Sequence, residues 1–161
     1  MVVLGIDPGT TATGFGVVET DGYAISVIDY GVIKTSGRRV LADRLQEIFK
    51  RITEIIRTHQ PNEFAIESMF YSEHTKSAML LGHARGVAIL SAKLNDLSIA
   101  EYAPREIKMA ISGYGNASKD QVSRSVEQLL HLQHVTIPYD ASDALAVAIC
   151  HCHRAGKRMS E

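Results

Sequence analysis

The sequence has almost no net charge, almost no cysteine and no long apolar run, and each shortage removes a class of protein. Its 17 Lys and Arg stand against 18 Asp and Glu in 161 residues, a formal net charge of -1 with the seven His neutral. That balance gives no sign of a strongly basic nucleic-acid binder or of an acidic solvating tail, although an average can conceal a local basic patch. Cys150 and Cys152 lie too close together to close a useful loop, which excludes a disulfide framework and fits a reducing compartment. No stretch approaches the roughly 20 apolar residues of a membrane span. The run from Met1 to Asp7 lacks a basic leading region and meets a carboxylate too soon for a signal peptide, so the chain reads as soluble and cytoplasmic. Repeats, low-complexity segments and linkers are missing as well. What is there is a chain of single-domain length whose 45% hydrophobic residues suffice for a core.

Val2 to Ile6 is a β-branched apolar run stopped by Pro8-Gly9, which predicts a buried strand with Asp7 at its carboxyl end. Phe15 to Glu19 and Tyr23 to Ile33 predict two more strands around Asp21-Gly22, a pair favoured in two-residue hairpin turns. From Val40 to Arg57, Leu41, Leu45, Ile48, Ile52 and Ile55 recur at helical spacing, with Pro61 just beyond. Phe64 to Ile66 is a fourth strand ending in a carboxylate, Glu67. Ser77 to Leu94 is almost wholly apolar or small, which predicts a helix buried on more than one side, in the core or against a partner subunit. Ser98 to Tyr102 predicts a fifth strand, and Pro104 opens a helix through Ile111. Ser118 and Gln121 match a capping box for a helix from Lys119 to about Leu132. A final helix runs from about Asp140 to His153. The last eight residues, Arg154 to Glu161, read as a frayed basic tail, with a single domain over 1–155 and a short tail over 156–161.

Asp7 and Glu67 both end apolar strands, where open α/β sheets place functional groups. Asp140 and Asp143 are spaced to share one face of a helix. Four converging carboxylates repel unless cations neutralise them, and an all-oxygen set suits Mg²⁺ or Mn²⁺ rather than zinc. Two such ions about 4 Å apart clamp a phosphodiester. Each residue alone has a plainer reading: Asp140 as an N-cap, Asp143 as first-turn charge, Asp7 as a turn former before Pro8-Gly9. The combination outweighs these readings, because Asp7 and Glu67 interrupt apolar strands with no evident need for charge. His151, Cys152 and His153 suggest zinc, but residues two apart on a helix point to nearly opposite sides, which favours a structural or DNA-facing role.

Gly5-Ile6-Asp7-Pro8-Gly9, Phe64-Ala65-Ile66-Glu67, Gly82-His83-Ala84-Arg85-Gly86-Val87-Ala88, and Asp140-Ala141-Ser142-Asp143-Ala144-Leu145-Ala146 with His151-Cys152-His153 together resemble the RuvC family of bacterial Holliday junction resolvases. The resemblance runs in order from residue 3 to about residue 155. It implies an α/β RNase H-like fold, with a central mixed five-stranded sheet flanked by helices, and a homodimer. It also implies metal-dependent nicking of two like-polarity strands of four-way junction DNA in recombination and repair. On the family's pattern Asp7, Glu67, Asp140 and Asp143 are catalytic metal ligands for two Mg²⁺, with Mn²⁺ as a substitute. Lys108 and Lys119 match lysines near the scissile strand, and Phe70 matches an aromatic that contacts junction bases. Tyr71 to Thr75 departs from the family's pattern, so the resemblance carries the chemistry further than any cleavage-sequence preference. A branch-migration complex of RuvA and RuvB type is the implied partner.

Taken alone, Lys108 and Lys119 read as solvated helix charges, and Met69-Phe70-Tyr71 as cover for the core's edge. Gly5 to Thr11 also looks like the phosphate loop of the actin, sugar-kinase and heat-shock-70 ATPases, but those need two such domains facing a cleft. A nuclease of the same fold acting on RNA is a second alternative, and a junction-binding scaffold without catalysis a third. Setting the four proposed ligands aside leaves 14 acidic residues against 17 basic ones, a modestly basic scaffold whose acidity is concentrated where metal ions would neutralise it.

Overall fold

The computed structural model of the chain describes residues 1–68, 75–132 and 134–158. Five strands, β1 (Val2–Asp7), β2 (Ala12–Thr20), β3 (Ile25–Lys34), β4 (Glu63–Glu67) and β5 (Ser98–Tyr102), form one sheet in the order β3-β2-β1-β4-β5. The β1–β2 and β2–β3 pairs are antiparallel, whereas β1–β4 and β4–β5 are parallel. The helices are α1 (Leu41–His59), α2 (Thr75–Lys93), α3 (Pro104–Ser112), α4 (Lys119–Leu129) and α5 (Tyr139–Arg158).

Strand alternation divides the core into two layers. Leu4, Ile6, Val17, Phe64 and Ile66 pack with Ile48, Ile52, Ile55 and Ile56 of α1 and with Ala88 and Ala92 of α2. Val3, Val18 and Ala65 point the other way, into a layer with Ile107, Val122, Val126, Ala141, Leu145 and Ile149 from α3, α4 and α5. Asp7 shares parity with Val3 and Gly5, and Glu67 with Ala65. Both carboxylates are therefore committed to the α5 side, at the carboxyl ends of adjacent parallel strands.

Glycine makes that side unusual. A Cβ on Gly14 would lie 1.8 Å from the Asp140 carbonyl oxygen, one on Gly5 2.2 Å from that of Ala144, and one on Gly16 2.7 Å from the Leu145 side chain. Gly5 and Gly16 face each other in the β1–β2 register. The three form a side-chain-free floor on which α5 lies backbone to backbone. This brings the first turn of α5 down beside Asp7.

The predicted α3 opens at Pro104, with the Glu106 side chain accepting from the Ala103 amide at 2.9 Å. At α4, the Ser118 hydroxyl accepts from Gln121 N at 3.2 Å, and the Gln121 side chain accepts from Ser118 N at 2.8 Å. Four expectations change. The β2–β3 connection is not a two-residue turn, because Thr20 pairs with Ile25 and residues 21–24 form the loop. There the Asp21 carboxylate accepts from the amides of Tyr23 and Ala24. Helix α4 ends at Leu129, before Leu132. Helix α2 is not enclosed within the chain: Ala84, Ala88, Ser91 and Ala92 are buried, but Met79, Leu81, Leu90 and Leu94 are exposed. Finally, α5 does not fray at Arg154 but continues to Arg158, and the Arg154 guanidinium donates to Glu106 at 2.7 Å.

Candidate active site

The register Ile6↔Ile66 places Asp7 and Glu67 side by side one residue further on, about 4.8 Å apart in a parallel sheet. Asp140 and Asp143 come from the first turn of α5, over the glycine floor. Asp140 is not an N-cap, because the helix begins at Tyr139. Half-buried Asp143 accepts from the Lys119 ammonium at 3.1 Å. The first turn of α4 is tied to that of α5 twice more, by Tyr139 Oη donating to Asp120 at 2.5 Å and by Ser142 to Ser123 at 3.2 Å. Lys119 is held over the carboxylates by this junction.

The electrostatics show that the carboxylates converge. Burial, and then the charges of Asp143, Glu67 and Asp140, push the Asp7 carboxyl up to about 7, while Lys119 opposes the rise. Burial and Asp143 also push Glu67 upward, against Lys119 and Lys108. The Lys119 ammonium is raised in turn, by its hydrogen bond to Asp143 and by the acidic charges. Lys108 and Lys119 border one cleft with Glu67 and Asp143, so both face the acidic cluster and are not merely solvated helix charges. Glu67 and Pro104 line both that cleft and a second one bordered by Asp7, Pro8, Leu81 and Arg85.

An all-oxygen, partly buried set of four carboxylates, in which Asp7 and Glu67 hold their protons more tightly than usual, has the donor chemistry of a hard divalent cation site. Among the described residues, no group of three or more His, Cys, Asp or Glu side chains is already arranged to hold a metal ion. The charge excess is present, and Lys119 occupies part of the space beside Asp143.

Arg85 was not recognised as a site residue from sequence. Its Nε donates to the Glu67 carbonyl oxygen at 3.2 Å, and its Nη2 pairs with the Glu101 carboxylate. It thereby ties the ends of β4 and β5 to α2. The Gly-x-Gly spacing of Gly14 and Gly16, which puts both on one face of a strand, was the signal that could have revealed the floor. Phe70, with Met69 and Tyr71, lies outside the described residues. Of the C-terminal His and Cys residues, His151 is buried with Nδ1 2.8 Å from Tyr102 Oη, and His153 Nδ1 donates to Ala110 O at 3.2 Å. Burial pushes the thiols of Cys150 and Cys152 up to about 11 and about 12, which makes them unreactive as nucleophiles.

A hairpin beside three parallel strands, acids at the strand ends and a helix delivering two more acids define an RNase H-like fold with a nuclease-type acidic site. The family described as "Crossover junction endodeoxyribonuclease RuvC" matches residues 3–151. The crossover junction endodeoxyribonuclease RuvC of Alkaliphilus metalliredigens is 46% identical over 153 residues, covering 95% of this chain and 93% of that one. The solved T. thermophilus RuvC in complex with Holliday junction substrate superposes with a TM-score of 0.92 at 32% identity, covering 98% and 96% of the two chains. The Thermus thermophilus RuvC structure gives 0.87 at 33% identity, covering 99% and 97%. The chain belongs to the RuvC family of crossover junction endodeoxyribonucleases.

Proposed function

We propose that this chain resolves four-way DNA junctions by metal-dependent nicking of two strands of like polarity, in recombination and DNA repair. The observation that carries the reading is the group of carboxylates acting on Asp7 within a RuvC-family chain. Asp7, Glu67, Asp140 and Asp143 are the ligands proposed for two Mg²⁺ ions, with Mn²⁺ as a substitute. When bound, the ions neutralise the cluster and supply positive charge to the attacking and leaving oxygens of the phosphodiester. The sheet fixes Asp7 and Glu67 rigidly, and α5 adds Asp140 and Asp143 from above. Lys119 exchanges its contact with Asp143 for the scissile phosphate, where its ammonium stabilises the charge that builds in the transition state. Lys108 contacts a neighbouring phosphate, and Phe70 contacts a base at the junction.

Two symmetric nicks require two sites related by a two-fold axis, hence a homodimer. The exposed Met79, Leu81, Leu90 and Leu94 of α2 offer an apolar surface for the second copy. Residues 1–155 act as one nuclease domain, and a branch-migration complex of RuvA and RuvB type delivers the junction in the cytoplasm. No helix among the described residues is long and apolar enough to cross a membrane. The test is to offer the protein a synthetic four-way junction, a linear duplex and an RNA–DNA hybrid, each with Mg²⁺ and with EDTA. Paired nicks confined to the junction in Mg²⁺ are expected. Cleavage of the hybrid, or of the junction in EDTA, overturns the proposal.

A further inference from the structure

We infer that the β3–α1 connection is a second DNA-backbone site: Lys34, Arg38 and Arg44 grip the phosphates of the duplex arm that leaves the cleavage point on the β3 side. The inference rests on the DNA-cleaving function proposed above. Residues 34–47 contain four basic residues, Lys34, Arg38, Arg39 and Arg44, against Asp43 and Glu47, in a chain whose net charge is -1. The patch that the average conceals lies here. Arg39 is paired with Glu47, whereas among the described residues no ion pair neutralises Lys34, Arg38 or Arg44.

Topology places this cationic group on the same edge of the sheet as the carboxylates. β3 runs parallel to β1, so Lys34 and Asp7 end at the same edge with β2 between them. Two inter-strand spacings, about 10 Å, separate the two strand ends. That distance corresponds to about three base pairs of rise along B-form DNA. The connection is also fastened to the turn that follows Asp7. Thr35 Oγ1 donates to Thr10 O at 2.5 Å, Thr35 N to Thr11 O at 2.9 Å, and Arg44 Nε to Thr10 O at 3.0 Å. Arg44 is only 8% exposed, a nearly buried cation that, among the described residues, has one side-chain hydrogen bond and no counter-ion. Neither Arg44 Nη is among the buried unpartnered side-chain atoms of the described residues, so Nε anchors the side chain while the other N–H donors stay accessible to a phosphate, which can accept from them.

The start of α1 adds to the same field. Its N-cap is Val40, which provides no side-chain hydrogen bond, and Val40 is 69% exposed. Among the described residues the N-cap side chain thus leaves the first-turn amides uncapped, and their dipole adds to the positive charge of the connection against the opposing charge of Asp43. Lys108 lines the cleft beside Glu67 at the end of β4, on the side of β1 away from β3. The connection and Lys108 therefore flank the carboxylates that Lys119 overlies, so a strand crossing the cluster meets a phosphate ligand on either side of the scissile bond.

The test is equilibrium binding of the full chain to a four-way junction and to a linear duplex in EDTA, across a salt series. The double variant Lys34→Gln, Arg38→Gln removes two exposed charges that make no side-chain contact among the described residues, so folding is unaffected. Its affinity for both DNAs should fall by about 10-fold or more, and the slope of log K against log salt should become shallower by nearly 2, one unit for each lost phosphate contact. Arg44→Lys keeps the charge but loses the fork, and should weaken binding by a smaller factor. Lys93→Gln, at the far end of α2, should leave affinity and slope unchanged. An unaltered slope in the double variant, with the wild-type protein still binding the junction, overturns this inference alone. Failure of the wild-type protein to bind any DNA overturns the proposed function with it.

Discussion

On one face of the sheet, Leu4, Ile6, Phe64 and Ile66 meet Ile48 and Ile52 of α1 through full-length side chains. On the other, Gly5, Gly14 and Gly16 meet the backbone of α5 with nothing between. Burial of large side chains is worth roughly 1.5–3 kcal/mol apiece and tolerates small shifts of the helix that carries them. Contact of backbone on glycine gains less from area but leaves the helix a single depth at which it fits. Both faces bury core side chains, but only the second, through its glycines, also sets where Asp140 and Asp143 stand relative to Asp7. Site geometry is thus assigned to one side of a sheet that both sides stabilise.

The sharpest probe of the α5 face is Asp7→Asn. Cleavage in Mg²⁺ should fall by on the order of 10⁴-fold while junction binding persists, comparable to loss of a central electrostatic group in other sites. The same variant tests the charge strain. Because the folded-state Asp7 carboxyl sits at about 7, above its ordinary 3.8, its protonated form favours the folded state below about pH 4. That contribution is lost as pH rises through about 7, and amounts to at most about 4 kcal/mol. In EDTA at pH 8, Asp7→Asn should therefore raise the melting temperature by several degrees; an unchanged or lowered value would show that the carboxylates do not crowd one another.

Gly14→Val attacks the floor itself, since even a Cβ would overlap the Asp140 carbonyl. Cleavage by the folded fraction should drop by about 10³-fold as α5 is lifted, and a full rate would break the distinction between the two faces. Ile52→Ala, on the opposite face, should cost about 2–5 kcal/mol in urea unfolding and leave cleavage per folded molecule unchanged at low temperature. The smallest effect is expected from Arg85→Gln, which links the faces by tying α2 to Glu67 O. A fall in rate of about 10-fold with unchanged junction affinity, partly restored by Arg85→Lys, would mark Arg85 as a positioning residue.

The sequence located Asp7, Glu67, Asp140 and Asp143 because an acid interrupting an apolar strand, or two acids on one helix turn, is a local anomaly that needs no neighbour to be noticed. Strand and helix identities were equally local, since they follow from alternation and helical spacing. Arg85 was not visible in this way. An Arg between small residues on a helix looks the same whether it faces water or a carbonyl oxygen on another element. Which alternative applied to α2 was not visible for a related reason: an apolar composition does not say which residues the chain itself covers, and Met79 and Leu90 are exposed while Ala84 and Ala88 are buried.

By itself, then, the sequence determined the alternation that sends Asp7 and Glu67 to one side of the sheet, the caps that start α3 and α4, and the acids available for a cation. Only the tertiary structure decided how close those acids come, because the distance depends on three glycines far from Asp140 in sequence and on the depth at which α5 settles over them. The net charge of -1 separates in the same way. Folding concentrates acids at the centre of one sheet edge, with Lys119 paired to Asp143 over them, an arrangement that a sum over residues cannot contain.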